Sequence, residues 1–314
     1  MMELSVFFEQ ERSSGADLVV AIVIATEGST YRKPGAFMLL SSSGNRAGLL
    51  SGGCLEADLH EHALRMLAEG RLCVTHRYDN RSSDDPIWGL GLGCEGSMSI
   101  LLLRCSSTDA YEPLTSLFAA SLRNEPIDIT IDLQNGSHRS ANPTMVAGTA
   151  PDNSFVWRIK PPPRLLVCGA GPDAEPLFEF AYRLGWRVSL IDHRPAYAMP
   201  KRFSGAELVR HVELERWSTE LALDQYAAAV VMSHHLGADA RYLEELARSP
   251  IPYIGLLGPP ARRARLMADL GAQADRLNSR LRAPVGLNLG GRTPEAIALS
   301  IVAELQATFS SNAV

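Results

Sequence analysis

Two cysteines of this chain stand in turns made almost wholly of small residues. One closes Ser51-Gly52-Gly53-Cys54, just ahead of a run with helical spacing. The other closes Gly91-Leu92-Gly93-Cys94. A thiol at a helix start feels the positive end of the helix dipole, which favours thiolate. Paired glycines also let backbone N–H groups turn toward an anion. The same corner therefore suits a bound phosphate or a reactive sulfur. A free cysteine is otherwise a small buried hydrophobe. That plainer reading fits Cys73, Cys105 and Cys168, which fall on strand-like runs, better than it fits Cys54 and Cys94.

A second glycine turn lies in the other half of the chain. Gly169-Ala170-Gly171-Pro172-Asp173-Ala174 reads as G-x-G-x-x-A and follows the apolar run Arg164–Cys168. Leu177, Phe178, Ala181 and Leu184 continue at helical spacing, and Trp186–Ile191 is a second apolar run closed by Asp192. Strand, turn, helix, strand and terminal acid are the parts of a dinucleotide-binding unit. Gly169 permits the tight turn, Gly171 lets backbone approach a phosphate, and Ala174 allows close helix–strand packing. The helix start offers free N–H groups to an anion. Asp192 lies 18 residues beyond Ala174 (192 − 174), near where an acid meets a ribose hydroxyl. A fold of this kind does not by itself establish a bound nucleotide.

Other polar residues have two readings each. Arg32 and Lys33, between Gly28 and Gly35, can meet an anionic ligand or belong to a solvated loop. His234 follows the apolar run ending at Met232; with Ser233, Asp239, Asp192 and the Gly255–Gly258 turn it belongs at the carboxyl edge of a parallel sheet, where ligands bind. Helix capping is the alternative role for a histidine there. Asp58 and His62 share a helical face, which suits a solvated pair, whereas His60 and His62 point apart. The Cys and His spacings match no zinc site, so no metal held by the protein is expected. Gly-x-Ser-x-Gly and P-loop motifs are absent, which disfavours a serine hydrolase and an ordinary NTPase.

These residues need elements to hold them. In the first half, Asp17–Thr26 is an apolar strand, and the runs 37–40 and 47–50 form a hairpin around Ser43-Gly44-Asn45. A helix follows Cys54, with Leu55, Leu59, Ala63, Met66 and Leu67 inward and Gly70 as its cap. Further strands are expected at 72–78, 97–104, 127–133 and 155–159, and a helix at 111–123. Pro161-Pro162-Pro163 is a stiff connector and the expected domain boundary. In the second half, strands at 227–232 and 253–257 alternate with helical patterns at 240–247 and 262–270, which implies a parallel sheet with helices on both faces. Thr293-Pro294-Glu295 opens a last helix with Ile297, Ile301 and Leu305 inward.

Length and composition set the class. A chain of 314 residues, 46% hydrophobic and 21% charged, suits two globular domains. The net charge is −5 and no Lys/Arg run stands out, which argues against nucleic acid and against an anionic membrane. No apolar stretch reaches the roughly 18 residues of a membrane helix. Residues 1–12 lack a signal-peptide pattern. Five cysteines, an odd count, point to free thiols in a reducing compartment, hence the cytoplasm.

Taken together, the motifs resemble the XdhC/CoxI family, accessory proteins that mature molybdenum hydroxylases such as xanthine dehydrogenase. The resemblance rests on TEGSTYRKP (26–34), SGGCLE (51–56), WGLGLGC (88–94), LLVCGAGPDAEP (165–176), IDHRPAY (191–197), YIGLLG (253–258) and APVGLNLGGRTP (283–294). Glu95 departs from the small residue usual after the second cysteine and makes thiolate at Cys94 less favourable. The stretch 106–161 carries no matching motif.

The resemblance implies an α/β protein: an N-terminal α+β domain over 1–160 and a Rossmann-like domain over 161–314. It implies a chaperone that binds the molybdenum cofactor, protects it while a cysteine desulfurase exchanges an oxo ligand for sulfur, and delivers it to the apo-hydroxylase. Cys54 is then the principal functional thiol and Cys94 its companion. Arg32, Gly52, Gly53, Gly93, Gly169, Gly171, Asp192 and His234 become contacts for the molybdopterin, or for a nucleotide at the Rossmann-like half. A homodimer is the default assembly. Two other classes stay open: an NAD(P)-dependent oxidoreductase using Gly169, Gly171 and Asp192, and a scaffold that binds only the target enzyme.

Overall fold

The computed structural model describes residues 1–53, 55–79, 96–143 and 152–311. The chain divides into two compact units, Met1–Pro161 and Pro162–Val314.

The first unit is built on the long apolar strand β1 (Leu18–Gly28), preceded by α1 (Met2–Ser14). β2 (Phe37–Ser41) and β3 (Arg46–Ala47) extend the sheet on one side of β1. The expected second hairpin arm shrinks to β3, because Leu49 and Leu50 leave the ladder to enter the Ser51 turn. α2 (Glu56–Ala68) follows the turn, and β4 (Cys73–Asp79) and β5 (Gly96–Cys105) complete an antiparallel sheet of order β3-β2-β1-β5-β4. α3 (Leu114–Leu122) leads into a second, three-stranded antiparallel sheet: β6 (Ile127–Asp132) lies between β7 (His138–Ala141) and β8 (Ser154–Ile159).

Alternation along β1 decides what covers each face of the large sheet. Val19, Ala21 and Val23 meet Leu59, Ala63 and Met66 of α2. Leu18, Val20 and Ile22 meet Phe8 of α1, Leu117 and Phe118 of α3, and Ile129, Ile131 and Trp157 of the smaller sheet. The helix that starts beside Cys54 is thus clamped to the sheet by its own apolar stripe.

The second unit is a six-stranded parallel sheet. Its members are β9 (Arg164–Cys168), β10 (Arg187–Asp192), β11 (Leu208–His211), β12 (Ala228–Val231), β13 (Ile254–Leu256) and β14 (Leu281–Arg282). Their spatial order, β11-β10-β9-β12-β13-β14, is the Rossmann order, with its switch point between β9 and β12. α4 (Ala174–Arg183) and α7 (Pro294–Ser311) pack on one face against Leu165 and Val167. α5 (Leu236–Arg248) and α6 (Pro260–Leu270) cover the other face, against Leu166 and Cys168. Two strands fall outside the sequence pattern, β11 and β14. They are short, carry Arg and His, and lie at the sheet edges, where the apolar signal is weakest.

Candidate functional site

The Ser51 corner is organised from inside by one carboxylate. Glu56, the first residue of α2, is only 2% exposed. Its Oε1 accepts from the N–H groups of Leu50 at 3.0 Å and Ser51 at 2.7 Å, and its Oε2 accepts from Ser51 Oγ at 2.6 Å. Ser51 Oγ in turn accepts from the N–H groups of Gly53 at 3.2 Å and Leu55 at 3.0 Å. Burial alone pushes the Glu56 carboxyl up, but the Ser51 hydroxyl and the backbone donors outweigh it and hold the group below its ordinary range. The outer side of the turn is open: a Cβ placed on Gly52 or Gly53 would meet nothing within 4 Å, and Gly53 has φ +109°. The Gly53 N–H turns inward to Ser51 rather than outward to an anion, because Glu56 supplies the negative charge that the helix start attracts.

Arg32 reaches the same corner. Its Nε donates to the Leu49 carbonyl at 3.1 Å, two residues before Ser51, and its guanidinium lies 5.4 Å from the Tyr31 ring centre. Cys54, Gly93 and Cys94, all sequence-derived candidates, lie outside the described residues. Of the remaining thiols, Cys105 and Cys168 are fully buried, and burial drives both well above the ordinary thiol value. Cys73 is half-buried.

At the Rossmann switch point the glycine turn is where the sequence puts it. Gly169 has φ +121°, and a Cβ there would lie 2.6 Å from the Ser233 nitrogen and 2.7 Å from Met232 backbone. The close passage of the chain leaving β12 thus demands glycine at this position. Above Gly171 there is open space. Ala174 is fully buried against the sheet.

Asp192 returns to this turn but does not present a free carboxylate. It is 0% exposed. Oδ2 accepts from the Ala170 N–H at 2.7 Å and Arg194 Nη2 at 2.9 Å; Oδ1 accepts from the Arg194 backbone N–H at 2.8 Å and Nε at 2.9 Å. Four donors fill the acceptor capacity of a carboxylate. Burial pushes the Asp192 carboxyl up, and the Arg194 guanidinium with the Ala170 N–H overcomes this and holds it below the ordinary range. Asp192 thereby fastens the turn to Arg194.

His234 stands at the end of β12 in the left-handed region, φ +61°, and is 56% exposed on its side chain. Its Nε2 lies 2.9 Å from Oδ2 of Asp173, the residue that opens α4, so the pair spans the crevice between β12 and the glycine turn. Helix capping falls instead to His235, whose Nδ1 accepts from the Ala238 N–H at 3.1 Å. Ser233 and Asp239 do sit at this edge, but Asp239 is fully buried, taking bonds from Ser233 and from Arg262 at 2.6 Å.

Three site-shaping residues gain a role only from the fold: Glu56 and Arg194, which lie inside the motifs at 51–56 and 191–197, and Arg202, which lies outside them. Arg202 donates to the Ala170 carbonyl at 2.8 Å and pairs with Glu175 at 2.6 Å, bracing the turn from its outer side. The available signals were an acid two residues past Cys54 and an arginine two residues past Asp192. Among the described residues no group of three or more His, Cys, Asp and Glu side chains can hold a metal ion, and no helix is long and apolar enough to cross a membrane.

Comparison with known proteins gives this architecture its class. The family model described as XdhC Rossmann domain matches residues 165–305, and that of the XdhC and CoxI family matches 12–79. The chain is 32% identical over 313 residues to a probable xanthine dehydrogenase subunit of Bacillus subtilis, covering 92% of each chain. It is 24% identical to "Molybdenum cofactor insertion chaperone PaoD" of Escherichia coli, covering 93% of this chain and 83% of that protein. A crystal structure of a xanthine dehydrogenase from Bacillus halodurans superposes with a TM-score of 0.84 at 29% identity, over 98% of this chain and 95% of that one. The chain belongs to the XdhC and CoxI family.

Proposed function

We propose that this chain is a chaperone for the molybdenum cofactor in the maturation of a molybdenum hydroxylase such as xanthine dehydrogenase. The observation that carries the reading is the Ser51–Glu56 corner, tied inward by four N–H contacts and one hydroxyl contact and open on the outside where Cys54 follows. Near full-length similarity to a relative named as a molybdenum cofactor insertion chaperone supports it. Cys54 is the principal functional thiol, with Cys94 as companion, and Arg32 flanks the first of these corners. In the second unit the open space above Gly171 suits a phosphate, of the pterin or of a nucleotide form of the cofactor. There Gly169 keeps the turn tight, and His234 can exchange Asp173 for the incoming anion. The chain protects the cofactor while a cysteine desulfurase supplies sulfur, and then passes it to the apo-hydroxylase, working as a cytoplasmic homodimer.

An NAD-dependent oxidoreductase of this fold uses an acid at the Asp192 position to accept from ribose hydroxyls. Its oxygens are fully engaged and out of solvent, so the geometry speaks against that reading. Cofactor retention tests the proposal. Wild-type protein expressed with molybdopterin should hold it through purification, and Cys54→Ala should lose it. A Cys54→Ala protein that binds and protects the cofactor as well as wild type removes Cys54 from the role.

A further inference from the structure

The α2 N-terminus carries its anion inside the protein. Helix starts attract negative charge because their first N–H groups are unpaired and aligned with the macrodipole. Here that demand is met before any ligand arrives. Leu55, which begins the helix, has no side-chain cap, and the donors at 50, 51, 53 and 55 converge on Glu56 and Ser51. An ionised carboxylate with three short donors is a strong, charge-assisted lock. Its burial makes the arrangement costly to break, since a released Glu56 would be a charge with no partner. A phosphate brought to the same turn would meet a like charge and few free donors.

We propose that Glu56 is the positioning residue of this corner: it fixes the Ser51–Gly53 turn for Cys54 and, by filling the anion place itself, turns phosphate away. The inference rests on the role proposed above for Cys54.

The test uses the full chain and site-resolved amide hydrogen exchange, with inorganic phosphate as the probe. In wild type the amides of Leu50, Ser51, Gly53 and Leu55 should be protected and unchanged by phosphate. Glu56→Gln should speed exchange at Leu50 and Ser51 by about tenfold or more and make the turn amides respond to phosphate. Glu56→Asp keeps the charge but shortens the reach, so it should loosen the turn while still excluding phosphate. Ser51→Ala leaves the carboxylate but removes the relay and one of the three Glu56 donors, so exchange should rise most at Gly53 and Leu55; it also serves if Glu56→Gln does not fold. Cofactor retention should fall about tenfold in Glu56→Gln at a melting temperature still well above the assay. Phosphate-induced changes in wild type, unchanged exchange in Glu56→Gln, or full retention in a loosened Glu56→Gln protein would each overturn the proposal. Failure of the Cys54 reading shows differently, as retention by Cys54→Ala with the exchange pattern intact.

Discussion

Asp192 and Glu56 are both carboxylates that burial drives up and local donors pull below the ordinary range. Such a group stabilises the fold only while ionised. The unfolded chain takes up its proton near the ordinary value of about 4, so the contribution is complete above that pH and is lost as pH falls through the lower folded value. Asp192→Asn should therefore cost about 2–3 kcal/mol at neutral pH, because it leaves Arg194 without its partner. The gap to wild type should close on acidification, as read by denaturant melts from neutral pH down through the carboxylate range. A constant gap would show that Asp192 is not charged in the fold. Gly169→Ala makes a sharper case. Its φ of +121° and the 2.6 Å approach to Ser233 leave no room for a methyl group. The substitution should cost at least about 2 kcal/mol by equilibrium unfolding.

At the scale of elements, α2 and β4 meet through a polar cluster that sequence spacing only half shows. Asp58 and His62 share a face of α2, as i and i+4 residues must, with His62 Nε2 3.4 Å from Asp58 Oδ2. What tertiary packing adds is β4. The Tyr78 hydroxyl donates to Asp58 at 2.7 Å, and the His76 ring lies 3.9 Å from that of His62. Burial and the neighbouring His62 lower the His76 imidazole, Asp58 opposes them, and Arg65 adds a smaller lowering. The folded protein thus resists a proton that the unfolded chain accepts below about pH 6.5. Stability should decline as pH falls from that point until the lower folded value is reached. His76→Gln should flatten melting temperature against pH as pH falls below about 6.5. An unchanged slope would assign the pH dependence to other groups. Hydrogen exchange in α2 and β4 should rise over the same interval in wild type alone.

At the scale of the whole molecule, the two units offer different chemistry. The first presents a turn whose Leu50, Ser51, Gly53 and Leu55 N–H groups are already engaged; the second presents a glycine turn with open space and a His234–Asp173 pair across its crevice. Calorimetric titration with NADH should therefore show no binding tighter than about 1 mM, because the acid that would read the ribose is engaged by Arg194. Micromolar binding with turnover of a small substrate would restore the oxidoreductase reading.

Much of this was legible in the sequence, for a physical reason. Strand–turn–helix at 164–184, the apolar stripe of α2 and the glycine positions are local patterns, and local patterns follow from backbone sterics and side-chain period. Nearly every strand of the core declared itself the same way, and the short edge strands β11 and β14 did not, because an edge needs little apolar character. Polar side chains kept their partners hidden. That Asp192 faces Arg194 instead of solvent, that Gly53 donates inward to Ser51, and that His76 stacks on His62 depend on burial and on which elements pack together. Residue types and spacing settled what could be built and where glycine was required. Only the packed chain decided which carboxylates were spent holding it together, since a hydrogen bond is assigned by distance in space and not by distance along the chain.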